Sequence, residues 1–451
     1  MLDEHDSRLC DIAVIGGGPV GTTAAALLAE KGYSVRLFEQ SAHPRFHIGE
    51  SLLPMNLGIL ERLGVGQQVR DIGLIKHGAE FNALDPATGK WRRQTFHFAR
   101  AMNPVYPHAY EVRRSEFDAL LYDNAIAKGV RADCPAQVTR VDFSDSDRVR
   151  LHVRCAAGER EVAARYLVDA SGRGALLSRQ LKLREKNPHH QSAAIFGHFA
   201  NVERRSGDDE GNISIYWFEH GWFWLIPLRD GVTSVGAVCW PEYLRTREGS
   251  TEAFLWQTIR MNPGVAERMR DARCLDEVRA TGNFSYTSKR MWGPNYMLLG
   301  DAFAFVDPVF SSGVYLGMSG AQQAAEVIDQ ILREPHRRDA LCRRFERRMR
   351  AAIAEMSWFI YRFTAPGMQQ LFMHPRNDFQ IESAVISLLA GDIYDNRAVK
   401  LRLRLFKMIY AIQSGSMGWR SLGAWMNRRR NVGAVFDRGT MAEDAEHRLP
   451  P

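Results

Sequence analysis

The 451-residue sequence has six cysteines, Cys10, Cys134, Cys155, Cys239, Cys274 and Cys342, and no two of them form a C-x-x-C pair. Thiols scattered in this way argue against both a disulfide framework and a cysteine-held zinc site. The sequence also lacks an H-E-x-x-H helix or any other metal-ligand spacing, so no metal is expected. No apolar run is long enough to span a bilayer. The first six residues, Met1 to Asp6, are acidic and lack the basic-then-apolar pattern of a signal peptide. A cytoplasmic location is therefore expected. Internal repeats and low-complexity stretches are absent. What is present is 45% hydrophobic and 25% charged residues. That balance belongs to a globular chain long enough for two intimately joined domains.

The net charge is +7, and much of the positive excess lies late: Arg343-Arg344, Arg347-Arg348, residues 400–407 and Arg428-Arg429-Arg430. Solvated helix faces account for such runs in the simplest reading. The sharper reading is a surface attractive to an acidic carrier protein or an anionic membrane. Nucleic acid is not an expected partner, because no reader motif accompanies the charge.

Periodicity organises the chain. Residues 11–15 are an apolar run of strand length, 22–31 are rich in Ala and Leu as a helix is, and 34–39 read as a second strand. A helix is expected over 116–128. Strands are expected over 138–153, 161–168, 192–199 and 213–238. From Gly317 onward the pattern is helical, near 321–334, 339–364, 376–390 and 396–414, with a break at Pro366-Gly367. The polar tail from Met441 to Pro451 is expected to fray. The order points to an α/β fold. Its cofactor domain is discontinuous, over 1–70, 105–185 and 286–335. A substrate-side β-sheet domain is inserted at 71–104 and 186–285, and 336–451 form a helical C-terminal section.

Gly16-Gly17-Gly18-Pro19-Val20-Gly21 is a G-x-G-x-x-G loop between an expected strand and an expected helix. Gly16 permits the tight turn, Gly18 lets the backbone approach a pyrophosphate, and Gly21 lets helix and strand pack closely. The helix start offers free N–H groups and a positive dipole end to that anion. Glu39 follows about 20 residues later, where a carboxylate accepts ribose hydroxyls. Leu299-Gly300-Asp301-Ala302 places a second carboxylate after an apolar strand, suited to polyol hydroxyls or to capping a helix. Trp222 and Trp224 lie two apart in Gly221-Trp222-Phe223-Trp224-Leu225-Ile226-Pro227. In a strand they point to one face and would form a flat, bulky wall, ended by Pro227. An ordinary core strand reads the same way. Lys76, in Lys76-His77-Gly78-Ala79-Glu80-Phe81, stands as an isolated lysine; most lysines in such a loop are at the surface.

Together these segments resemble flavin-dependent halogenases, and more closely the branch acting on phenols and pyrroles. The resemblance runs from Asp11 to at least Gln413. It rests on the glycine loop, Gly49-Glu50-Ser51-Leu52-Leu53-Pro54, the Lys76 segment, the W-x-W-x-I-P motif at 222–227, and Asp307-Pro308-Val309-Phe310-Ser311-Ser312-Gly313-Val314. Only W-x-W-x-I-P is the family's own marker; the other motifs are partly shared with hydroxylases and reductases. Asp169-Ala170-Ser171-Gly172-Arg173 and the late Leu389-Ala390-Gly391-Asp392-Ile393-Tyr394 are also similar to segments of this superfamily.

The resemblance implies an FAD-binding Rossmann-like domain of the glutathione reductase and p-hydroxybenzoate hydroxylase type. FAD would be held by Gly16, Gly18, Gly21, Glu39, Gln40, Arg45, Ser51, Arg114, Val138, Asp301, Pro308, Gly313 and Val314. It would arrive as FADH2 from a separate flavin reductase, and with O2 form a flavin hydroperoxide. Chloride or bromide, held by the backbone N–H groups of Ser312 and Gly313, would attack it. Trp222 and Trp224 would keep the organic acceptor away, and the hypohalous acid would travel to Lys76. There an ammonium could hydrogen-bond it, or a neutral amine could carry the halogen; burial would ease the second route. Arg114 could instead cap the following helix.

The segment departs from the tryptophan-specific members, which carry a glutamate near the lysine where this sequence has Phe310. Asp307 does not replace it. An electron-rich phenol or pyrrole, free or tethered to a carrier protein, is therefore the expected acceptor in secondary metabolism. An FAD-dependent aromatic hydroxylase or prenyl reductase of the same fold is the alternative. A catalytically silent scaffold that binds a carrier or a membrane through the basic C-terminal helices is a third reading. The aromatic stretch 358–363 could line the substrate pocket, although its helical spacing favours core packing.

Overall fold

A computed structural model describes residues 9–85, 88–282 and 285–433. The acidic start at Met1–Asp6 and the tail from Met441 lie outside the described residues. The chain divides into two units. The first comprises the segments up to Ile72, Val112–Lys186 and Tyr286–Glu355; the second comprises Gly73–Glu111, Asn187–Ser285 and the segment from Met356 onward.

The first unit is built on an eight-stranded sheet. The strand Cys10–Ile15 is parallel to Val35–Phe38 on one side and to Gly158–Asp169 on the other, and Tyr296–Leu298 extends the parallel set. A strand buried on both faces needs a continuous apolar run. Cys10–Ile15 has it: Ile12, Ala13 and Val14 are fully buried. The helix Pro19–Glu30 follows directly, with Pro19 at its first turn, where the missing N–H costs nothing. The helices Arg114–Ala127 and Ser312–Arg333 complete this unit's core. The expected long strand over 138–153 is a hairpin, Ala136–Asp142 paired antiparallel with Val149–Cys155. The polar run Ser144-Asp145-Ser146-Asp147 turns the chain between them, with Asp142 accepting from the Ser144 N–H and Asp145 from the Asp147 N–H.

The second unit holds another eight-stranded sheet. From one edge its order is Arg273–Cys274, Ala193–Ala200, Thr233–Cys239, Gly221–Pro227, Ile213–Phe218, Gly78–Leu84 and Trp91–His97, with Arg279–Thr281 also paired to Ala193–Ala200. One face carries Ile195, Phe223, Leu225 and Val235, and packs with Phe254, Leu255 and Ile259. Alternation sends Trp222, Trp224 and Ile226 to the other face. The last segments are helical: Pro366–Met373, Ile381–Ala390, Arg397–Ser416 and Trp419–Gly433. Pro366 opens the first of these, at the expected break. Trp358 and Phe359 pack against Phe406, the core role their spacing favoured. Among the described residues no helix is long and apolar enough to cross a membrane.

Candidate functional site

In the first unit, backbone geometry makes the glycine loop. Gly16 has φ +102°, a conformation L side chains rarely adopt, and a Cβ there would come within 2.3 Å of the Ala170 carbonyl oxygen. A Cβ on Gly21 would lie 1.9 Å from the Gly16 oxygen. Gly18 differs: a Cβ would meet only Arg45 Nη2, at 3.8 Å. The space beside it stays open, and no side chain caps the helix it precedes. Glu39 is buried at the end of its strand and accepts from the Gly17 N–H at 2.6 Å and the Ser41 N–H at 2.9 Å. Arg45 Nη2 reaches the same carboxylate at 3.4 Å.

Val20 joins three of the expected segments. Its methyls would lie 2.9 Å from a Cβ on Gly300 and 2.5 Å from one on Gly317. Two glycines thus let the glycine-loop helix meet both the Asp301 turn and the helix that starts at Ser312. Burial pushes the Asp301 carboxyl up to about 6, against the fields of Arg173 and Arg114. Asp169 braces the neighbouring turn by accepting from the Ser171 and Leu177 N–H groups.

Arg114 is committed within the protein. It forks onto Asp118 at 2.7 and 3.0 Å and donates to the Ile48 carbonyl at 2.7 Å. Asp118 is fully buried; burial works to raise its carboxyl, but Arg114, His47 and Arg45 outweigh this and hold it low. Ser51 is buried, and Val138 is buried in its strand beside Val153. Gln40 is exposed just beyond Glu39.

Ser311 has φ +54° and turns the chain into the 22-residue helix Ser312–Arg333. No side chain caps this helix and no acidic residue occupies its first turn. The N–H groups at Ser312 and Gly313 therefore stand uncapped at the positive end of the helix dipole. Pro308, Gly313 and Val314 are half-buried there, while Phe310 is buried. Asp307 Oδ1 accepts from the Val309 N–H, which ties it to its own turn.

In the second unit, Lys76 ends the short strand Leu74–Lys76, antiparallel to Ala109–Glu111. It is 1% exposed. It is not isolated, as the sequence suggested: its Nζ lies 3.7 Å from Glu111 Oε1, and Glu111 is 0% exposed. Lys76 pairs with Ala109 and Leu74 with Glu111, so the two charged residues are diagonal neighbours on one face. No local motif announces Glu111; only strand pairing brings it to the lysine. Nζ also stands 5.6 Å from the centre of the Phe98 ring. Burial lowers the Lys76 pKa, and Glu111 opposes it.

Trp222 and Trp224 are both buried, with ring centres 5.9 Å apart. Their planes are inclined at 49°, so the expected flat wall is a folded one. Trp224 lies across the adjacent strand at Gly236, where any Cβ would be 2.3 Å from the indole, and donates from Nε1 to Ser234 Oγ. Trp222 meets Phe363 edge-on, and Phe363 stacks on Trp217. Gly236 and Phe363 carry no sequence signal of this role, because each is defined by its neighbour. Among the described residues no cluster of His, Cys, Asp or Glu could hold a metal.

The sequence model of the tryptophan halogenase family matches residues 86–366. The chain belongs to that family. A second match, the NAD(P)-binding Rossmann-like domain, covers residues 14–53. The halogenase is 27% identical over 434 residues to the 1H-pyrrole-2-carbonyl-[peptidyl-carrier protein] chlorinase of Pseudomonas fluorescens, covering 92% of this chain and 95% of that one. Among solved structures it resembles the myxobacterial chondrochloren halogenase CndH, an FAD-dependent halogenase, with a TM-score of 0.74 and 33% identity over 86% of this chain and 91% of that one. A flavoprotein/dehydrogenase from Cytophaga hutchinsonii matches with a TM-score of 0.81 and 27% identity, over 91% of this chain and all of that one. The enzyme is a flavin-dependent aryl halogenase, an oxidoreductase on an α/β fold, and its cofactor is FAD. The first unit fits that cofactor: an open backbone at Gly18, a buried acid at Glu39 and an uncapped helix start are what a dinucleotide requires.

Proposed function

We propose that the halogenase delivers hypohalous acid through Lys76 to an electron-rich phenol or pyrrole. Reduced FAD and O2 supply the oxidising equivalent that turns chloride or bromide into that acid. The first unit would hold FAD through the residues named above. Gly16, Gly18 and Gly21 shape the pyrophosphate cradle, Glu39 serves the ribose, and Asp301 serves the polyol chain. Gln40, Arg45, Ser51, Arg114, Val138, Pro308, Gly313 and Val314 form its borders. Of these, Arg114 also acts as a brace, since three of its five N–H donors go to Asp118 and Ile48. The N–H groups of Ser312 and Gly313 hold the halide; an uncapped helix start is a ready anion site. Trp222 and Trp224 exclude the acceptor from the place of oxidation.

The observation that carries this reading is the burial of Lys76 at 1% exposure. Lysine almost never buries fully unless a partner or a function holds it there. Phe310, at the position where the tryptophan-specific members carry a glutamate, supports an acceptor other than free tryptophan. The pyrrole-carrier chlorinase among the relatives supports a tethered acceptor. So do the helices Arg397–Ser416 and Trp419–Gly433, which expose Arg404, Arg429 and Arg430 as well as Leu401, Met408, Ile412 and Trp419. Such a surface suits an acidic carrier. A separate flavin reductase supplies the reduced cofactor. The test is to give the enzyme reduced FAD, O2 and bromide with free and carrier-loaded phenols and pyrroles, and to analyse products by mass spectrometry. Brominated product supports the reading; hydroxylated product alone refutes it.

A further inference from the structure

The delivery role leaves two chemical forms for Lys76: an ammonium that hydrogen-bonds hypohalous acid, or an amine that becomes N-halogenated. We infer that Glu111 is a positioning residue that keeps Lys76 an ammonium, so that the halogen passes to the ring from hypohalous acid held at Nζ. This inference rests on the delivery role proposed for Lys76.

The argument is geometric first. The ladder between Leu74–Lys76 and Ala109–Glu111 fixes both side chains on one face, as diagonal neighbours 3.7 Å apart at their charged ends. Neither is exposed to water. A lone ammonium in such a place would shed its proton, since burial can lower a lysine pKa by about 3–5 units. A carboxylate at this distance favours the charged form instead. The Phe98 ring, 5.6 Å from Nζ, favours it too, because an aromatic face attracts a cation. The balance leaves Lys76 a stronger acid than an ordinary lysine. That suits a group which must both stay charged and give its proton away.

The step then balances. The ring's π pair bonds to the halogen, and the halogen–oxygen pair stays on oxygen. Oxygen takes a proton from the Lys76 ammonium and leaves as water. The arenium ion loses its proton to the Lys76–Glu111 pair, which restores ammonium and carboxylate. In the competing route a neutral amine and hypohalous acid would give an N-halogenated lysine and water before the ring reacts.

The test uses the full chain with FAD bound and compares wild type, Glu111→Gln, Glu111→Asp and Lys76→Ala. The 15N resonance of Lys76 Nζ, assigned by its loss in Lys76→Ala, reports the protonation state directly. Wild type should show an ammonium resonance and Glu111→Gln an amine resonance. Glu111→Gln should lose roughly 100-fold in kcat with FAD affinity unchanged. Without acceptor, it should accumulate a halogen adduct in its intact mass. Glu111→Asp should keep the ammonium and recover much of the rate. A Glu111→Gln enzyme that keeps its ammonium resonance, or turns over at the wild-type rate, overturns the inference. Full halogenation by Lys76→Ala would refute the delivery role itself, a separate failure. Should Glu111→Gln not hold FAD, an amine resonance in Glu111→Asp overturns the inference.

Discussion

Trp224 and Gly236 are opposed across two antiparallel strands, and the indole occupies the space any side chain at 236 would need. The placement of the Trp224 indole is therefore encoded on two strands. Gly236→Val should push the indole out and cost about 1–3 kcal/mol by overpacking. Thermal unfolding followed by tryptophan fluorescence measures both effects. In turnover, the same variant should divert oxidant from the acceptor, seen as a lower yield of halogenated product per reduced FAD consumed.

The two ends of the glycine loop should respond differently to added side chains. Gly16→Ala meets a carbonyl and a forbidden φ, so it should lower stability and FAD affinity together. Gly18→Val meets nothing closer than Arg45 Nη2 at its Cβ and should cost the apoprotein no more than the roughly 1 kcal/mol of a poorer helix N-cap. Its methyls would instead occupy the space left for pyrophosphate, so FAD binding should fall sharply. Flavin titration and thermal unfolding of the apoproteins separate the two cases.

Removing Lys76 has a stability signature as well as a chemical one. Lys76→Ala leaves the Glu111 charge buried without its cation, at a cost of about 3–5 kcal/mol. Lys76→Met combined with Glu111→Leu should recover most of that, because a buried ion pair is often replaceable by apolar residues of similar volume. The double variant should be stable and inactive. Denaturant titration of the three proteins checks the order.

Asp301 makes a pH prediction. Its carboxyl lies at about 6 in the folded chain against 3.8 for the free group. The folded state therefore binds more protons between these values, and stability falls as pH rises from about 4 to about 6. The loss attributable to this group is about 3 kcal/mol at most. Apoprotein Asp301→Asn should lose this part of the pH dependence and be relatively stabilised above pH 6. Unfolding midpoints of both apoproteins across that range provide the measurement.

Much of this was legible in the sequence where chemistry is local. The glycine loop, the strand before it and Pro19 after it are short-range signals, and the helix Pro19–Glu30 follows from them. The helix at 312 begins nine residues before the stretch expected near 321–334. Its first turns, Ser312-Gly313-Val314-Tyr315-Leu316-Gly317, have poor helix propensity. Gly317 is there because Val20 packs on it. The helices Pro366–Met373 and Trp419–Gly433 were not expected; the first is a short segment held by Phe372 packing on Phe81 and Phe96. Sequence spacing placed both tryptophans on one face but could not give their 49° inclination, which Gly236 and Phe363 decide. Glu111 was invisible for the same reason, since strand register rather than sequence proximity makes it a neighbour of Lys76.

The most direct test is the product of Lys76→Ala under single-turnover conditions with reduced FAD, O2, bromide and an electron-rich phenol or pyrrole that wild type brominates. The account predicts normal FAD binding, free hypobromous acid captured by a thioether scavenger, and no brominated ring when the scavenger is present. Brominated acceptor at the wild-type yield in the scavenger's presence would contradict it.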